Sequence, residues 1–176
     1  MSKRGIDLDI SIDPNRVTTQ KSVFIAEDYR LLKVDKVDNQ PISSRTMDQF
    51  MDSLSTGGSD VYVFSDFRHG IFNRSTIPQL TSCLPQGSLR VADTQVASRW
   101  GNILEFQNFD LITPNEREAR FALGDQDSVI RPLAQELFKQ TQCKTLILKL
   151  GDRGILTYRE PTRENPRGFF VIDSMA

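Results

Sequence analysis

A chain of 176 residues that is 38% hydrophobic and 26% charged, with 22 basic against 23 acidic side chains, has the length of one domain and the balance of an ordinary globular protein. That near-neutral charge excludes the basic surface of a nucleic-acid binder and the basic patch that seeks an anionic membrane. Cys83 and Cys143 stand far apart with no CxxC or Cys/His cluster, no apolar run approaches the roughly 18 residues of a membrane span, and no apolar stretch follows the Met1–Gly5 start, so the expectation is a cytoplasmic protein without a disulfide framework or structural zinc.

In chain order, residues 22–26 and 31–37 are predicted as two short strands, separated by the polar Glu27, Asp28, Tyr29 and Arg30, which suits a hairpin. Alternation of Leu32 and Val34 with Lys33 and Asp35 predicts one wet face. After the break at Asn39–Pro41, Met47, Phe50, Met51 and Leu54 recur at helical spacing, with Ser43 or Ser44 as N-cap and Gly57-Gly58 as the stop. Strand and helix then alternate: strands at 61–64, 89–92, 111–113 and 145–150, and helices over 76–84, from Asn115, and through Leu137. Nearly all-apolar strands in that order predict a parallel sheet covered by helices on both faces. Residues 155–158 and 169–172 are two further strands joined by a polar, proline-bearing segment, an antiparallel ribbon at a sheet edge.

Four stretches put chemistry at strand ends. In Leu111-Ile112-Thr113-Pro114-Asn115-Glu116-Arg117-Glu118 a strand runs straight into a helix, and Thr113 with Glu116 is predicted to form a capping box around Pro114 at the first helical position. Asn115 and Glu118, at i and i+3, share one helix face at the carboxyl edge of the sheet. There they either cap and solvate the helix or hold a water-clad Mg²⁺. Strand 145–150 enters Gly151-Asp152-Arg153-Gly154, a tight turn that either joins two strands or lets a phosphate approach backbone amides. Asp66 and His69, the only histidine, follow strand 61–64, where a phosphosugar contact and a turn stabilised by Asp66 are equal alternatives, and Asp93 follows the next strand as a binding candidate. Trp100 and Phe106, Phe109 and Phe121 are expected in the core or an interface, since no basic residues interleave with them.

Taken in this order, Ser65-Asp66-Phe67-Arg68-His69-Gly70, Ala92-Asp93-Thr94, Thr113-Pro114-Asn115-Glu116-Arg117-Glu118 and Lys149-Leu150-Gly151-Asp152-Arg153-Gly154 resemble the ribokinase-like (PfkB-type) carbohydrate kinases over most of the chain. Thr18-Thr19-Gln20-Lys21 and Tyr29-Arg30-Leu31-Leu32-Lys33-Val34-Asp35 are similar to the lid-proximal strands in the kinase half of bacterial heptose-phosphate kinases, with Lys21-Ser22-Val23 where those often have Lys-x-Arg. The resemblance implies an α/β fold, a three-layer α/β/α sandwich with a mostly parallel central sheet and a small lid-proximal hairpin. It implies one partial domain over 1–176, with 22–37 as the lid strands and 60–176 as the nucleotide-facing part. It further implies ATP and Mg²⁺ as cofactors, with Asn115, Glu118, Lys149, Gly151, Asp152 and Gly154 facing the nucleotide, Asn115 and Glu118 the metal, and Asp66, His69 and Asp93 a sugar or sugar phosphate. A homodimer is a further expectation.

The family's Gly-Ala-Gly-Asp loop, whose amides stabilise the transferring phosphoryl group and whose aspartate takes the proton of the sugar hydroxyl, has no counterpart, since no Gly-x-Gly-Asp occurs in the sequence. The catalytic aspartate is expected beyond residue 176, and the chain alone is expected to be inactive. The alternative is a non-catalytic scaffold or oligomerisation module on the same fold. A nucleotidyltransferase or other Rossmann-like domain is disfavoured because the first turn is not Gly-rich and no His-x-x-His occurs.

Overall fold

The computed structural model describes residues 5–95 and 103–175, which leaves the expectation for Trp100 outside the described residues. The chain order is β1 (Gln20–Ala26), β2 (Tyr29–Lys36), α1 (Ser44–Thr56), β3 (Val61–Asp66), α2 (Thr76–Ser82), β4 (Leu89–Thr94), β5 (Leu111–Ile112), α3 (Glu116–Leu123), α4 (Ile130–Thr141), β6 (Thr145–Lys149), β7 (Ile155–Arg159) and β8 (Phe169–Ile172). Strands β3 to β8 form one six-stranded sheet in sequence order, parallel from β3 to β6 and antiparallel from β6 to β8. The antiparallel edge ribbon expected from residues 155–172 is therefore present.

Phe64, Ala92, Ile112 and Leu146 are partners across the parallel strands and stand on one face, where they meet Ile77 and Leu80 of α2, Ala119 of α3 and Leu133 and Leu137 of α4. Phe106 and Phe109 are fully buried and close this core edge-to-face, each 5.3 Å from the other ring's centroid, with Phe64 a further 5.3 Å from Phe109. On the opposite face Val61 and Val63 of β3 and Leu89, the partner of Val61, are exposed.

The β1–β2 ribbon pairs with no other described strand. Its turn is shorter than expected, two residues, with Glu27 and Asp28 both at positive φ, the geometry that matches strand twist. The single wet face predicted from Leu32 and Val34 is corrected, since every residue of β2 is exposed and Phe24, Ile25, Leu31 and Leu32 all face solvent. Alternation reports burial only where something covers one face, and the described residues put nothing over this ribbon.

Ser43, one of the two expected caps, is the N-cap of α1, and Asp13 reinforces it. Its carboxylate accepts the Ser43 amide at 2.9 Å and the Thr46 hydroxyl at 3.2 Å, while the Ser43 hydroxyl accepts from the Thr46 amide. Those hydrogen bonds, the Ser43 amide foremost, hold the Asp13 carboxyl below its ordinary value. Arg16 grips the carbonyls of Gln40, Asp38 and His69, joining the ribbon's root to the β3–α2 loop.

Asp110 sets the approach of β4 to β5. Its amide donates to the Arg90 carbonyl at 2.9 Å, its carboxylate accepts the Arg90 amide at 2.7 Å, and Lys144 lies 2.6 Å away. Burial alone would raise the Asp110 pKa, but Lys144 and the Arg90 amide together hold it below the ordinary value. A folded pKa below the unfolded one gives stability that is present above the ordinary carboxylate range and lost as pH falls through the folded value. Asp110→Ala is expected to cost about 1 kcal/mol at neutral pH in urea unfolding, and the difference from wild type should vanish in strong acid.

Candidate active site

Three strand ends and one helix start converge at the carboxyl edge of the sheet. Asp93 is the last residue but one of β4, Thr113 follows β5, Lys149 ends β6 and Asn115 caps α3. The Lys149 ammonium sits 2.8 Å from Asp93 Oδ1, and the Thr113 hydroxyl donates to the same oxygen at 2.8 Å, which leaves Asp93 Oδ2 open to a ligand.

The capping box lies two residues later than the sequence predicts. Asn115, not Thr113, is the N-cap: its side chain accepts the Glu118 amide at 2.8 Å, and Glu118 returns the bond by accepting the Asn115 amide at 2.8 Å. The cause is the sheet. The Pro114 carbonyl accepts the Lys149 amide and Asn115 bridges to Lys149, so the backbone is still strand-like at 115 and the helix begins at Glu116. Pro114 is buried before the cap instead of occupying the first helical turn, and the freed Thr113 hydroxyl turns to Asp93.

Glu118 is 5% exposed and also accepts from the Asn115 side-chain amide at 2.6 Å. Burial pushes its pKa up from the ordinary 4.5, opposed by the Asn115 amide and the nearby Lys149 charge and assisted by Asp93. A polar cavity of about 340 Å³ opens over Asp93, Thr94, Asn115, Glu118 and Lys149. Two carboxylates and an amide oxygen are the hard donors that Mg²⁺ takes, usually with several waters kept, so this residue set fits that ion.

The turn after β6 is a single 3₁₀ turn, Gly151–Arg153, in which the Leu150 amide donates to the Gly154 carbonyl at 2.8 Å. It joins β6 to β7 as a hairpin, so the strand-joining alternative describes the backbone. A second cavity, about 450 Å³, lies between this turn and α3. Arg153 reaches across it to Glu116, which Arg120 grips at 2.9 Å. Burial alone would raise the Glu116 pKa, but the two arginines together hold it below its ordinary value. The sequence marked Glu116 only as a cap. Its pairing with Arg153 spans 37 residues and leaves no spacing signal.

Asp66, the last residue of β3, and His69, in the β3–α2 loop, belong to a different part of the edge. Asp66 is buried and its carboxylate accepts the Arg68 amide at 2.7 Å, with the Arg68 guanidinium 3.6 Å away, the geometry of the turn-stabilising alternative. Arg68 has a φ of 63°, a conformation this contact supports. His69 Nδ1 lies 3.3 Å from the Thr19 hydroxyl at the base of the ribbon. Asp152 is exposed on the Gly151 turn. A further cavity, about 630 Å³, lies beside Arg68 and Gly70, between the ribbon's root and the start of α2.

Among known proteins, the fold has close counterparts. A ribokinase from Giardia lamblia superposes with a TM-score of 0.67 at 15% identity, covering 98% of this chain and 52% of that one. A ribokinase from Thermotoga maritima gives 0.58 at 20% identity, over 90% of this chain and 49% of its own. This is a ribokinase-like fold. In sequence, the bifunctional protein HldE of Pelobacter propionicus is 24% identical over 160 residues, and that of Desulfatibacillum aliphaticivorans 25% over 172. No family model matches the sequence. The chain covers 87% and 92% of itself in these alignments but only 32% and 34% of the two relatives, so the ribokinase-like chain spans about a third of their length. No helix among the described residues is long and apolar enough to cross a membrane.

Proposed function

We propose that this chain supplies the nucleotide- and Mg²⁺-binding part of an ATP-dependent kinase that phosphorylates a hydroxyl of a sugar or sugar phosphate. The observation that carries this reading is the convergence of Asp93, Lys149, Asn115 and Glu118, from two strand ends and the start of α3, onto one polar cavity, with Thr113 bonded to Asp93. Relatives named as kinases and the ribokinase-like fold point the same way.

Each residue has work to do in such a site. Glu118 and Asp93 would hold Mg²⁺, which when bound neutralises phosphate charge. Lys149, half exposed beside Asp93, offers an ammonium to a phosphate oxygen. Gly151, at φ 65° with nothing within 4 Å of where a Cβ would sit, leaves open backbone for the nucleotide to approach. Asn115 fixes the Glu118 carboxylate by two hydrogen bonds and so holds the metal-facing group in one rotamer. Asp66, His69 and the cavity beside Arg68 are the acceptor side of this proposal, and the aspartate that deprotonates the acceptor is not among the residues assigned here.

Calorimetric titration tests the reading. Mg²⁺-ATP is expected to bind the 176-residue chain, with affinity falling when Mg²⁺ is withheld, and sugar-dependent ATP turnover by this chain alone is expected to be undetectable. No nucleotide binding would sink the proposal. The exposed Phe24, Ile25, Leu31 and Leu32 of the β1–β2 ribbon favour a second reading, a module that self-associates through this ribbon, as in a homodimer. Concentration-dependent association without nucleotide affinity would select it.

A further inference from the structure

The charges around the first turn of α3 are nearly all committed. Lys149 is paired with Asp93, and Arg120 and Arg153 are both paired with Glu116. Arg117 is the exception. It is exposed, and it makes no hydrogen bond, ion pair or ring contact with any described residue.

Its position is equally distinctive. The cavity between α3 and the Gly151 turn and the polar cavity over Asp93 and Glu118 have three wall residues in common, Asn115, Arg117 and Lys149. Asn115 is held in the capping box and Lys149 is held by Asp93. A ligand that reached from one cavity to the other would pass the one cation there that no carboxylate has neutralised.

We infer that Arg117 binds the phosphate chain of the nucleotide where it crosses between these two cavities. The inference rests on the kinase reading above and assigns that site a residue the reading does not use. A guanidinium suits this role, because its planar fork can donate two parallel hydrogen bonds to a phosphate and it stays charged at any working pH. An exposed arginine with no protein partner contributes little to folding, so its removal separates binding from stability.

The experiment is calorimetric titration of wild-type, Arg117→Ala and Arg117→Lys chains with Mg²⁺-ATP, inorganic tripolyphosphate and adenosine, at low and moderate salt. Arg117→Ala is expected to weaken ATP and tripolyphosphate about tenfold, the size of one charge-assisted contact. Adenosine affinity and the thermal midpoint should not move, Arg117→Lys should recover part of the loss, and the alanine variant should show a shallower salt dependence. Unchanged ATP and tripolyphosphate affinity in Arg117→Ala overturns the assignment, as does an equal loss for adenosine. If the wild-type chain binds tripolyphosphate but neither ATP nor adenosine, and Arg117→Ala abolishes that binding, the kinase reading and the nucleotide assignment fall and Arg117 is left as a contact for a bare polyphosphate. No binding of any of the three overturns both.

Discussion

Replacing Glu118 by Gln is expected to weaken Mg²⁺-dependent ATP binding by about 10- to 100-fold, the range seen when a carboxylate that holds or orients a metal is lost, while folding stability stays the same or rises slightly. The two halves of this expectation have one cause. Burial raises the Glu118 pKa, so the folded chain holds this proton more tightly than the unfolded chain does, and the ionised carboxylate opposes folding. That opposition is absent well below the ordinary value of 4.5 and grows as pH rises through the folded value. Glutamine carries no such charge, so the variant should gain on wild type with rising pH. Against this gain stands the damaged capping box, because a glutamine amide facing the Asn115 amide loses one of the two returned bonds. Binding by calorimetry and stability by urea unfolding at pH 5 and pH 8 measure both halves. Intact metal-dependent binding in the variant would reduce Glu118 to a helix cap, and a large loss of stability at pH 8 would show that the box outweighs the buried charge.

A carboxylate that costs stability where it sits is a physical sign of a ligand site, and the sequence held only part of that sign. The order of strands and helices was legible because β3, β4 and β6 are short apolar runs and α1 carries its apolar residues at helical spacing. The edge ribbon was legible from the polar break between residues 159 and 167. What local pattern could not give was how far β5–β6 pairing persists. The Asn115 bridge to Lys149 is a contact across 34 positions, and it displaced the capping box from Thr113 to Asn115. The same limit hid the Asp93–Lys149 pair, whose members each stood out alone at a strand end but are joined only by the fold. Asp13 and Arg16 follow a stretch in which Ile6, Leu8, Ile10 and Ile12 alternate with polar residues, but that local pattern carries no signal of their work, which is on backbone groups of distant loops. Loss of the one-sided pattern in β2 has the opposite origin: the alternation is real, but nothing in the described structure covers either face.

Gly154→Ala is expected to cost about 3 kcal/mol or more, combining left-handed backbone strain with overpacking, whereas Gly151→Ala should cost only about 1 kcal/mol for the strain. Both glycines have positive φ, 86° at Gly154 and 65° at Gly151. They differ in what a methyl group would meet. At Gly151 there is nothing within 4 Å, but at Gly154 the new Cβ would lie 2.1 Å from the Ile172 carbonyl oxygen and 2.8 Å from backbone atoms of Asp173 and Ser174. Backbone cannot rotate aside as a side chain can, so either the end of β8 must separate from the turn or the turn must move. Moving the turn breaks the Leu150 to Gly154 hydrogen bond, shifts Gly151 and loosens the strand end that presents Lys149 to Asp93. Nucleotide affinity should therefore fall with stability in Gly154→Ala, whereas in Gly151→Ala it should fall with little loss of stability, because the methyl group fills the open space the nucleotide approaches. Urea unfolding and ATP titration of the two variants separate these cases. Equal stability losses would mean that the contact with Ile172 does not hold the turn, and that the edge strand β8 and the proposed nucleotide site are mechanically independent.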